Sequence, residues 1–152
     1  MTAAIFLPFM NGALDGMLNI AEELGDERVN QRPNDMANTS TPFIILTHCV
    51  GLTRYWLGSV ALGRPVTRDR DAEFRAQGTV ADLRQAVQAL QSELQDDINR
   101  VQFDQPSPNP EAVRQAHMKT WTQGQFVLQC FKELAQHHGQ MEIVRDMLMQ
   151  ES

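Results

Sequence analysis

The feature that most constrains this chain is a recurring three-four spacing of apolar side chains, which only a helix gathers onto one face. In the first stretch Leu7, Met10, Leu14, Met17, Ala21 and Leu24 keep that spacing, and Gly25 offers a stop. The polar, turn-rich residues 25–40 read as a loop. A second helix is expected from Thr41: Ser40 or Thr41 can cap it, and Pro42 suits its first turn. Its seam runs Ile45, His48, Leu52 and Tyr55, with Leu62 near the end and Gly63 and Pro65 marking the exit. A third opens at Thr79, where Asp82 completes an approximate capping box, and carries Val80, Leu83, Val87, Leu90, Leu94, Ile98 and Val101. The proline-rich FDQPSPNP ends it, and Asn109-Pro110 starts a short helix to about His117. The last follows Thr122, with Val127, Cys130, Leu134, His137, Met141, Val144 and Leu148 in register. No comparable strand-like alternation occurs. The expected fold is all-α, a four-helix bundle with long connections after the first and second helices.

Composition narrows the partners. A chain of 152 residues is one domain's worth, spanning 1–152, at roughly 100–200 residues per domain. Thirteen Lys and Arg against nineteen Asp and Glu give a net charge of −6, so there is no basic field for nucleic acid. The 2 cysteines exclude a disulfide scaffold and a four-thiolate zinc site. The longest apolar run, Phe43 to Leu52, is interrupted by Thr47 and His48 and is too short to cross a bilayer. The N-terminal MTAAIFLPFMNG lacks the positive region of a secretory signal. A cytoplasmic protein with neither nucleic-acid nor membrane partners is expected.

The informative positions are those where the apolar seam is broken. His48 occupies a core position of the second helix, and His137 does the same in the last. Glu133 lies four residues before His137, so the two project from one face. Burying these groups is costly unless something satisfies them. A divalent metal would: two His and one Glu make a first shell for zinc with a fourth position open, and can equally hold iron, nickel or manganese. A buried His–Glu hydrogen bond, or exposed side chains on a misphased helix, would explain the same residues. HExxH, paired ExxH, Gly-rich phosphate loops and GxSxG are all absent. His138 points about 100° away from His137 on its helix and reads as a flanking residue, and His117 as a surface one. Cys130 shares the Glu133–His137 face, as a ligand or as a small buried hydrophobe; Cys49 with His48 would make a Cys–His pair lacking an orienting partner.

Between the second and third long helices lies ALGRPVTRDRDAEFRAQGT, in which Arg64, Arg68, Arg70 and Arg75 interleave with Asp69, Asp71 and Glu73. A connection this long is functional or mobile. It reads either as a self-paired solvated loop or as a rim whose arginines bind a carboxylate-bearing ligand.

Together TPFIILTHCVGLTRYWLG, GRPVTRDRDAEFRAQG and TQGQFVLQCFKELAQHHGQMEIVRDML resemble the DinB-like metal-binding bundle superfamily. The similarity is closest to its mycothiol-dependent branch, related to the N-terminal domain of maleylpyruvate isomerase. Many DinB-like proteins carry a third histidine where Glu133 stands; the mycothiol branch has Glu there. The resemblance implies three metal ligands, His48, Glu133 and His137, with zinc the expected ion and Ni²⁺, Fe²⁺ or Mn²⁺ as alternatives. It implies an S-transferase that presents mycothiol as a metal-bound thiolate to a small electrophilic cosubstrate, in detoxification. Apart from the resemblance, Arg68 and Arg70 are the candidate cofactor-binding residues, with mycothiol as the thiol cosubstrate; no side chain is assigned as catalytic. The isomerase relatives have a second, C-terminal domain, so the isomerisation itself is not carried over. A metal-dependent hydrolase and a non-catalytic metal-stabilised binding module are the alternative functions, and a homodimer is implied by analogy.

Overall fold

The computed structural model describes residues 1–34 and 36–151. Its helices are α1 (Leu7–Arg28), α2 (Pro42–Thr53), α3 (Arg70–Glu73), α4 (Val80–Arg100) and α5 (Gln123–Gln150), and no strand occurs among the described residues. The all-α class expected from the periodicity therefore holds. The 3₁₀ turn Ala3–Phe6 leads into α1. α1 and α2 each pack against both α4 and α5, which leaves α4 and α5 at opposite corners of the bundle.

Local chemistry sets the helix ends. Thr41 caps α2, its hydroxyl accepting from the Ile44 amide at 3.1 Å, and Pro42 follows in the first turn. Both halves of the capping box form at α4: the Thr79 hydroxyl accepts from the Asp82 amide, and the Thr79 amide donates to Asp82. A second box opens α5, where Thr122 and Gln125 exchange the same two bonds. Each satisfies amides that the first helical turn would otherwise leave unpaired. The expected seams are buried almost throughout, including Met10, Leu14, Met17, Leu83, Leu90 and Leu134.

Four local expectations need correction. The helix does break at Gly25, at φ 76°, as expected, but the residues after it, read as loop, form a further short helical stretch to Arg28. Val101 is extended and lies just beyond α4. The short helix expected from Asn109 to His117 is instead a pair of 3₁₀ turns, Pro110–Ala112 and Ala116–Thr120, with Val113 extended between them. The arginine-rich connection is not all loop: Asp69 caps α3 by accepting from the Ala72 amide. In addition, α2 continues as a π-helix from Arg54 to Ala61, with the Leu62 amide bonding back to the Leu57 carbonyl.

The segment Ala3–Arg28 is long and apolar enough, by length and composition, to cross a membrane. In this fold the same apolar face is used in the bundle, where Met10, Leu14, Met17, Ile20 and Ala21 are buried.

Candidate metal centre

α2 supplies His48, and one turn of α5 supplies Glu133 and His137. Packing α2 against α5 brings the three together: a ligand atom from each lies within 4.8 Å of the others. The two imidazole rings meet edge-on with centroids 5.0 Å apart. All three residues are partly buried.

Neighbouring side chains orient each of the three. Glu133 Oε1 accepts from Trp56 Nε1 at 3.0 Å and from Gln129 Nε2 at 2.7 Å. Oε2 has no hydrogen-bond partner among the described residues. Gln140 Oε1 sits 2.9 Å from His137 Nδ1. Since that carbonyl oxygen can only accept, Nδ1 donates to it, and Nε2 is the ring nitrogen outside this bond. This is how metal-ligating histidines are commonly held.

His48 is positioned by the segment carrying α3. Arg68 Nε and Nη2 clasp the Glu73 carboxylate at 2.7–3.2 Å, and the buried pair lies against the ring: His48 Nδ1 is 3.5 Å from Arg68 Nη2 and 3.7 Å from Glu73 Oε1. Phe74 covers the ring from another side, with centroids 5.3 Å apart. Glu73 approaches so closely because Gly51 faces it: a Cβ there would stand 2.3 Å from Glu73 Oε1. Burial, then His137, then the charges of Arg68 and Arg70 push the His48 imidazole down to about 4, so at neutral pH it is uncharged, the form that ligates metal.

His48 and Glu133 open onto a cleft of about 550 Å³, walled by Tyr55, Trp56 and Ser59 of the π-helical segment and by Arg68, Arg70 and Arg114. The Tyr55 hydroxyl donates to the Ala112 carbonyl at 2.6 Å, tying the cleft wall to the connection before α5. A separate groove of about 570 Å³ along α5, between Trp121 and Gln136, is apolar and has Lys132 as the sole charged side chain in its lining. It contains none of the three clustered residues.

Both cysteines lie outside this chemistry. Cys130 is fully buried, and burial pushes its thiol up to about 12. Cys49 is equally buried and raised well above the usual thiol range, with its sulfur against Met17 Sδ at 3.8 Å. Each is the small buried hydrophobe of the two readings, and the Cys49–His48 nucleophile is set aside. His138 faces Glu142 at 3.3 Å and His117 is exposed beside Trp121, as flanking and surface residues. Of the arginines singled out in the sequence, Arg68 is committed to Glu73, Arg70 lies over Phe74 at 5.4 Å, and Arg64 pairs with Asp97 away from the cluster.

The sequence did not single out Gln129, Gln140, Trp56 or Arg114. Gln129 and Gln140 stand four residues before Glu133 and three after His137, a helical spacing that could have exposed them. Trp56 and Arg114 reach the site through tertiary packing, and no local signal marks them.

The sequence model of the Mycothiol-S-transferase family matches residues 6–150. No curated protein and no solved structure matches the chain. With nearly its whole length matched, the chain belongs to the mycothiol-S-transferase family and is a mycothiol-dependent S-transferase.

Proposed function

Taking membership of the mycothiol-S-transferase family as premise, we propose that the His48–Glu133–His137 cluster is a divalent-metal centre, with zinc as its ion, and that conjugation of mycothiol to an electrophile takes place in the adjoining cleft. The observation that carries this reading is the meeting of three ligand atoms within 4.8 Å, drawn from two helices. The donor set fits such an ion, with one carboxylate oxygen and a lone-pair nitrogen of His137 left free by the bonds that hold the other atoms. The ion would supply the charge that lets a thiol of ordinary pKa, about 8.5, ionise at neutral pH.

The chain's own residues do the rest. Glu133 tempers the charge of the centre, and Trp56 and Gln129 hold the carboxylate in place. His48 and His137 would be the nitrogen donors, one pressed by the Arg68–Glu73 pair and the other tied to Gln140. Arg68 and Arg70 wall the cleft along which the cosubstrates lie. Holding both reactants in one cleft lowers the barrier by proximity, with about 7–11 kcal/mol the ceiling for ideal alignment. Overall, the mycothiol sulfur forms a bond to an electrophilic carbon, the leaving group on that carbon departs with its bonding pair, and the thiol proton passes to solvent. The reaction suits the cytoplasm, a reducing compartment that keeps thiols free, and fits a role in detoxification.

Metal analysis of gently purified protein, with His48→Ala and His137→Ala beside it, tests the centre. Stoichiometric zinc in the wild type and loss in both variants is expected; equal metal in all three would overturn the ligand set. A conjugation assay with mycothiol and an aromatic electrophile tests the chemistry: chelation should abolish turnover and added Zn²⁺ restore it. Ester hydrolysis without thiol would move the reading to a hydrolase. Sedimentation velocity tests the homodimer implied by the resemblance.

A further inference from the structure

Resting on the S-transferase reading of the cleft, we infer that the second substrate is an electrophile bearing a carboxylate, held by Arg70 and Arg114. The chain carries a net charge of −6, yet three guanidinium groups line this one cleft beside His48 and Glu133. Arg68 is neutralised by Glu73, which takes both its Nε and its Nη2. Arg70 and Arg114 differ: among the described residues neither has a carboxylate within ion-pair distance. Arg54, Arg64 and Arg84 each sit on an acidic partner, whereas Arg70 and Arg114 are the two arginines lining this cleft that do not.

The two free arginines come from separate parts of the chain. Arg70 opens α3, with its guanidinium laid on the Phe74 ring, and that ring in turn covers His48. Arg114 follows Val113, which is 2% exposed and anchors the connection before α5. Two guanidinium groups lining one cleft make it favourable for an anion. Their field reaches the site: Arg70 bears on His48, and Arg114 on Tyr55.

The charge balance of the proposed centre points the same way. A divalent ion held by one carboxylate and two imidazoles would have its remaining charge cancelled by a thiolate, and the positive charge left in the cleft would then lie on Arg70 and Arg114. A guanidinium fork matches the two oxygens of a carboxylate, which would orient the electrophilic carbon towards the sulfur.

The test uses the full chain with mycothiol and a matched pair of probes, 4-chloro-3-nitrobenzoate and neutral 4-chloro-3-nitrobenzamide. In either reaction the thiolate sulfur forms the new carbon–sulfur bond, chloride leaves with the bonding pair, and the thiol proton passes to solvent. Rates are normalised to the uncatalysed reaction of each probe. The wild type should show a KM for the benzoate about tenfold below that for the benzamide, and the Arg70→Gln/Arg114→Gln double variant should erase that gap by raising the benzoate KM alone. A gap that is absent in the wild type, or equal effects of the substitutions on both probes, would overturn the inference. Calorimetric titration of 4-chloro-3-nitrobenzoate without thiol reads the clamp apart from turnover. Arginine-dependent binding with no thiol-dependent turnover of either probe would retire the transferase reading and leave the carboxylate site standing. No arginine-dependent binding would remove the site itself.

Discussion

The two sides of the bundle interior are built differently. Where α1 packs on α4, the buried side chains are apolar, apart from Asp97, which Arg64 neutralises. Where α2 packs on α5, two imidazoles, a carboxylate and an indole N–H meet inside the same kind of interface. Similar helices thus do opposite jobs. The first side supplies stability through dry packing, and the second spends part of its interior on groups that burial disfavours. That second side also has the more elaborate surroundings: a π-helical continuation, the Arg68–Glu73 pair and a glutamine at each end of the ligand turn. Such support is what a site held in a fixed geometry requires.

This contrast can be broken or sharpened by substitution. The largest effect is expected from His137→Ala, which should reduce conjugation to the uncatalysed level and strip the metal. Its metal-free form should unfold within about 1 kcal/mol of the metal-free wild type in urea, because little apolar packing is removed. A much larger loss would make His137 a packing residue and dissolve the distinction. Leu90→Ala, at a position 1% exposed on the dry side, should cost about 2–5 kcal/mol in urea denaturation while the folded fraction keeps its metal. Gln140→Leu should leave the denaturation midpoint of the metal-free protein in place and weaken zinc about 10–100-fold in competition with a chromogenic chelator. Unchanged affinity would show that the Gln140 bond does not hold the ring. The smallest effect belongs to Thr122→Ala, which removes the α5 cap and should cost about 1 kcal/mol with metal affinity intact.

The same division explains what could be read in advance. α4 is apolar on one face and polar on the other, so its buried residues and its Thr79 start follow directly from spacing. α2 is apolar nearly all round, from Pro42 to Leu46 and again at Cys49 and Val50, so spacing alone could not phase it. There the legible signal was the intruder, His48, together with the Glu133–His137 pair. The π-helical Arg54–Ala61 was illegible because its register shift follows no local propensity. The four-residue α3 is too short for periodicity to register; its Asp69 cap was the single local cue. Arg68 and Arg70 could be placed near the site, but their partners could not: Glu73 meets Arg68 only because the chain turns through α3 onto Gly51.

The sealing of Cys49 and Cys130 inside the bundle carries a consequence for an enzyme that handles electrophiles. Any reagent reactive enough to alkylate mycothiol could alkylate the protein's own sulfhydryls, and every such event would be an act of self-inactivation. With both groups shut away from solvent and kept protonated, neither offers a thiolate to such a reagent, and an electrophilic substrate would meet the small thiol first.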